Sequence, residues 1–126
     1  MKATNYEISK QLAEAGFKSA INWAWVKLNG DLLRVHLSQL HLVHTELEKI
    51  IAYDLETILE ALPTKIAIGE GRAPISFFTF TKNGMGYARK PQIEFQEFIQ
   101  HHENESLADT AARLLLSLHK KNLIKF

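Results

Sequence analysis

The chain predicts an α+β fold, with helices packed mainly on one face of a twisted antiparallel sheet. Three observations carry that prediction. Residues 105–124 spell a complete amphipathic helix with start and stop signals. Residues 75–81 and the stretch after Asn83-Gly84 read as strands joined by a tight turn, which makes their pairing antiparallel. The segments run helix, strands, helix, strands, helix, with no repeat, low-complexity stretch or linker between them. One domain over residues 1–126 follows, with a sheet of about four to six strands.

Taken in order, residues 4–15 form the first expected helix. Thr4 and Glu7 make a capping box, Ile8, Leu12 and Ala15 share a face, and Gly16 supplies the stop. The period then changes at Trp23-Ala-Trp-Val-Lys-Leu28, an aromatic and branched segment ending at the turn signal Asn29-Gly30. Residues 32–37 continue as its hairpin partner. Residues 38–49 are ambiguous: Leu40, Val43, Leu47 and Ile50 fit a helix, and nothing else decides the matter. Asp54 is placed to cap a short helix reaching Leu62, with Leu55, Ile58, Leu59 and Leu62 inward and Pro63 ending it.

Residues 65–68 read as a strand and 69–74 as a loop. A two-residue turn at Asn83-Gly84 sets Lys82 opposite Met85, and Phe80 opposite Tyr87 as an aromatic cross-strand pair. Ile93, Phe95 and Glu97 alternate with Glu94 and Gln96, which gives one more strand before His101. In the last helix Ser106 and Asp109 form a capping box, and Leu107, Ala111, Leu114, Leu115 and Leu118 make the apolar stripe. His119, Lys120 and Lys121 sit where the helix dipole favours positive charge, and Asn122 suits the left-handed position just past the end.

Composition narrows the function classes. An apolar fraction of 46% and a charged fraction of 23% over 126 residues are those of an ordinary globular domain. The formal charge of +1, from 15 basic and 14 acidic residues, supplies no strong field for nucleic acid or a membrane. With no cysteine, disulfides, thiolate chemistry and Cys-based zinc sites are excluded. The first residues lack the apolar core of a signal peptide, and no apolar run approaches the roughly 18 residues that span a bilayer. The expectation is a cytoplasmic protein without a membrane partner.

Several segments resemble a known group of proteins. They are the helix ending in Gly16-Phe17, the Trp23-Ala-Trp25 strand, and Ile51-Ala-Tyr-Asp-Leu-Glu-Thr-Ile-Leu-Glu-Ala-Leu-Pro63. After them come the hairpin containing Tyr87, then Glu105-Ser-Leu-Ala-Asp-Thr-Ala-Ala-Arg-Leu-Leu-Leu and a terminal Leu123-Ile124. In this order they look like the small uncharacterised proteins encoded in bacterial prophages and phage-like elements. The likeness covers most of the chain outside residues 38–49. It implies a fold and a genomic setting, and it brings no activity, cofactor or catalytic residue with it.

The chemistry-bearing residues are sparse. His41 and His44, three apart, with His101 and His102 before Glu103, could together supply imidazole and carboxylate ligands; their spacing matches no recognised zinc or nickel motif, so no metal or cofactor is expected. Gly69-Glu-Gly-Arg-Ala-Pro lacks the pattern of a phosphate loop and leaves Arg72 as a solvated cation. No nucleophile elbow occurs; Ser106 and Asp54 read as caps, and Glu56 and Glu60 lie on the polar side of their helix. No catalytic residue is assigned, and the reading leans away from an enzyme.

Interaction is the better reading. The strand from Ile75 to Phe80 is apolar on both faces, Ile75 and Phe77 on one, Phe78 and Phe80 on the other. Helices cover one face only, so Phe78, Phe80 and Tyr87, with Arg89 nearby, are expected to form an exposed patch of a few hundred Å². A homodimer is the expected way to bury it. The leading expectation is a phage- or prophage-type accessory protein that binds another macromolecule, a protein in preference to nucleic acid. The alternative is a nucleic-acid-binding module that stacks bases on aromatics beside Lys82, Arg89 and Lys90, with Trp23 and Trp25 sharing a second strand face. Third comes a metal protein or enzyme built on the histidines.

Overall fold

The computed structural model describes residues 3–18, 23–28, 31–36, 49–67, 75–89 and 94–126. Among the described residues three helices begin where a short polar side chain accepts a backbone N–H. In α1 (Tyr6–Glu14) the Asn5 side chain accepts from Ile8 N at 2.8 Å. In α2 (Leu55–Ala61) the Asp54 side chain accepts from Thr57 N at 2.8 Å. In α3 (Leu107–Lys120) Ser106 Oγ accepts from Asp109 N at 3.1 Å. Gly16 at φ +89° ends α1, and Asn122 takes the left-handed position after α3 at φ 60°, as the sequence predicts.

Two caps differ from the sequence reading. Asn5, not Thr4, starts α1, because Thr4 is wholly buried and has other partners. Its Oγ1 accepts from Tyr53 N at 3.0 Å and lies 2.6 Å from Ser9 Oγ, while its carbonyl accepts from Trp25 Nε1 at 2.9 Å. If this buried hydroxyl turned away to cap, Tyr53 N and Ser9 Oγ would lose their partner. Asp109 likewise does not close its capping box. Its carboxylate accepts from Asn5 N at 2.8 Å and so ties the start of α1 to the start of α3.

The strands form two antiparallel sheets where the sequence suggested one. β1 (Trp23–Leu28), β2 (Asp31–His36) and β3 (Lys49–Ala52) pair in the order β2-β1-β3. The hairpin partner of β1 is the expected one, but Asp31, expected in the turn, is already paired with Leu28, so β2 starts one residue earlier than predicted. β3 takes up Ile50, which the sequence placed on a helix face; residues 38–48 lie outside the described residues. β4 (Lys65–Ala67), β5 (Ile75–Thr81), β6 (Gly84–Arg89) and β7 (Glu94–Gln100) form the second sheet in chain order. The α+β class holds.

Between the helices and one face of the second sheet lies the core. Leu114, Leu115 and Leu118 of α3 meet Ile8 and Leu12 of α1, Ile58 and Leu62 around α2, and Ile66, Met85 and Tyr87 of the sheet. Each such side chain contributes roughly 1.5–3 kcal/mol through burial. Leu107 and Leu59 were expected inward and are exposed, since each lies at the edge of its helix's apolar stripe.

The β5–β6 hairpin is also displaced. Thr81 faces Gly84, Phe80 faces Met85 and Phe78 faces Tyr87, so the connecting pair is Lys82-Asn83. Gly84 and Gly86 are required by the strand on their other side. A Cβ at Gly84 would overlap the Ile99 carbonyl oxygen, and one at Gly86 would overlap that of Glu97. Thr81 closes the turn instead, its hydroxyl accepting from Asn83 N and donating to Gly84 O, both at 3.2 Å.

Candidate functional site

Register separates the two faces of the second sheet. Tyr87 pairs with Glu97, but Ala88 pairs with Phe95, so Gln96 is the extra residue of a β-bulge. The bulge breaks the predicted alternation. Glu97 turns toward α3, where Ser117 Oγ donates to it at 3.1 Å and Lys121 Nζ at 2.6 Å. Phe95 and Phe98 emerge together on the opposite face, their ring centroids 4.7 Å apart.

Two cross-strand rows make the centre of that outer face. Lys65, Phe77, Ala88 and Phe95 form one, and Thr79, Gly86 and Phe98 the other. Ile75 lies beside them at 47% exposure, Phe77 at 40% and Phe98 at 37%, and none of the three belongs to the core shared with the helices. Together they leave roughly 250 Å² of apolar surface in water, an area ordinary monomers also expose, so it is the grouping of aromatic rings that distinguishes this face. Lys65 is the one charged side chain that register places on this face among the described strand residues.

The structure therefore reverses the expected surface. Tyr87 is fully buried, and its hydroxyl donates to Pro63 O at 2.6 Å; burial raises its pKa well above the ordinary value. Phe78 packs edge-on against Tyr87, centroids 5.8 Å apart, and leans on the core. Phe80 is 57% exposed but lies on the helix-covered side of the strand, at its open end near the turn. Arg89 is half-buried opposite Glu94 at the far end of β6 from the exposed Lys82, and Lys90 lies outside the described residues. Trp25 is half-buried, its indole N–H donating to Thr4 O at 2.9 Å, and the side chain of Trp23 lies outside the described residues. Phe95 and Phe98 were missed; the glycines inside β6, a sign of close strand approach, were the available signal.

The histidines divide differently. His41 and His44 lie outside the described residues, as does Arg72. His102 is exposed, and its backbone N–H donates to Glu105 Oε1 at 3.1 Å. His101 Nδ1 lies 2.7 Å from Thr110 Oγ1. Thr110 donates its single proton to Glu105 Oε1 at 2.7 Å, so His101 Nδ1 must carry the hydrogen of its bond. Arg113 grips the same carboxylate with Nε at 2.7 Å and a terminal nitrogen at 2.6 Å, and that nitrogen also reaches Gln100 O at 2.6 Å.

Burial of Glu105 opposes its charge, yet the bonds from Arg113, Thr110 and His102 outweigh it and hold the carboxyl at about 2. So weak a base does not abstract protons at neutral pH, and Thr110 is inaccessible. The cluster instead clips the turn between β7 and α3, in which Asn104 is left-handed at φ 63°. No group of three or more His, Asp or Glu residues suited to a metal occurs among the described residues. Glu56 and Glu60 are exposed on α2. No family model, curated protein or solved structure matches the chain.

Proposed function

We propose that the protein is a prophage-type accessory factor that binds another protein through the outer face of the β4–β7 sheet. The exposed rings of Phe77 and Phe98, beside Ile75 and Phe95 on a face outside the helix-packed core, carry the reading. Aromatic anchors ringed by neutral polar groups such as Thr79 and Gln100 are the chemistry of a protein hot spot. A nucleic-acid partner needs several phosphate contacts; the one lysine that the described strand residues place on this face and a chain charge of +1 supply little of that attraction. The prophage setting rests on the sequence resemblance. A cytoplasmic location suits a chain without cysteine in which, among the described residues, no helix is long and apolar enough to cross a membrane. A second copy of the chain is one protein that fits the face.

Site-specific crosslinking tests this. A benzoyl-phenylalanine at position 98, expressed in bacterial cells, is expected to give a discrete protein adduct, of doubled mass if the partner is a second copy. The same photolabel at exposed Lys120 of α3 is expected to give none. Nucleic-acid adducts from position 98, or equal adducts from both positions, would overturn the assignment.

A further inference from the structure

Building on the protein-binding reading of the outer β4–β7 face, we propose that this face takes one amphipathic helix of the partner, with an acidic residue on the flank that meets Lys65.

Backbone chemistry selects a helix over an extended segment. The N–H and C=O groups of β5 and β6 are committed within the sheet, each strand having a neighbour on both sides. Between Phe77 on β5 and the pair Phe95 and Phe98 on β7, the middle strand presents only Gly86 and Ala88. An extended segment laid on that surface leaves water with its own backbone groups unpaired. A helix arrives with them paired internally.

The dimensions agree. β5 and β7 stand two strand spacings apart, about 9.5 Å, and a helix with its side chains is about 10–12 Å wide. From Ile75 to Thr79 the face runs about 14 Å along β5, a length that about nine helical residues cover. An apolar stripe at helical spacing on that segment lies over the rings of both flanking strands. A folded partner with a broad flat surface needs about 800 Å² on each side for a stable complex, several times the roughly 250 Å² of apolar surface exposed here. Charge sets the flank. Lys65 is exposed at the β4 margin beside Phe77, and register turns Glu94 and Glu97 to the opposite face, so an acid on the helix finds a cation and no competing carboxylate among the described strand residues.

Two display libraries selected on the full chain test this, one a single randomised helix on a fixed helical scaffold, the other unstructured linear peptides. Binders should come from the helix library, with one apolar stripe, an acidic flank and a dissociation constant on the order of 10 µM. Phe98→Asp should abolish their binding while amide shifts stay confined to the outer face. Lys65→Glu, at an exposed position, should weaken them about three- to fivefold, and replacing the peptide's acid by lysine should restore that loss. Phe98-dependent binders from the linear library, or Phe98-dependent self-association of the chain, would overturn the helix and leave the face standing as a protein-binding surface. Helical binders indifferent to the Lys65 exchange would overturn the acidic flank. Binders from neither library that depend on Phe98 would overturn the helix and the protein-binding face together.

Discussion

Glu105→Gln is expected to destabilise the protein at neutral pH and to do so less and less as the solution is acidified. In the folded chain burial works against the carboxylate, and the Arg113 fork, the Thr110 hydroxyl and the His102 N–H overcome it, holding the group at about 2 against an ordinary 4.5. That difference corresponds to roughly 3 kcal/mol. Glu105 is 12% exposed and Arg113 24%, so water screens part of the interaction, and about 1.5–2.5 kcal/mol is the expected remainder. The folded carboxyl is the stronger acid. Its contribution is therefore complete above the ordinary value of 4.5, declines as pH falls, and is gone below about 2. Gln mimics the protonated acid in shape, so the two proteins converge at low pH. Urea unfolding of both proteins between about pH 7 and pH 2.5 measures the gap, and other carboxylates cancel because they titrate in each. A gap that stays constant across that range would refute the reasoning, for it would show that the clip is held by packing and neutral hydrogen bonds alone.

Two further outcomes concern the scaffold. Leu115→Ala, at a fully buried position on α3, should cost about 2–4 kcal/mol in denaturant melts, and Ser106→Ala about 1 kcal/mol through loss of the cap; negligible effects from both would place α3 outside the core. Gly86→Ala puts a methyl onto the Glu97 carbonyl and should cost about 1–3 kcal/mol with amide shifts along β7; a thermal melt matching wild type would mean that the two strands lie further apart than described.

What the sequence revealed and what it hid divide along the range of the forces involved. Ser106, Asp54, Gly16 and Asn122 act within one helical turn of themselves, and each does what local chemistry predicts. Asn5 and Thr4 are adjacent and both able to cap, and the choice between them is made by Ser9, Trp25 and Tyr53, distant in sequence from one another. The sheet shows the same limit more consequentially. Alternation in β5 announces two apolar faces without saying which one the helices take, and the decision belongs to α3 closing over Tyr87 and Met85. Placing the turn at Lys82-Asn83 moves each partner by two residues and leaves every side chain on its original face. The misplaced turn therefore does not account for the reversed surface. The bulge at Gln96 accounts for the rest, because it brings Phe95 and Phe98 to one face and sends Glu97 inward to Ser117 and Lys121. Uninterrupted alternation would have set Phe98 opposite Phe95 and divided the rings between core and solvent. Local pattern and final structure part company where the outer face is made, and departures of that kind concentrate at sites kept for a purpose other than folding.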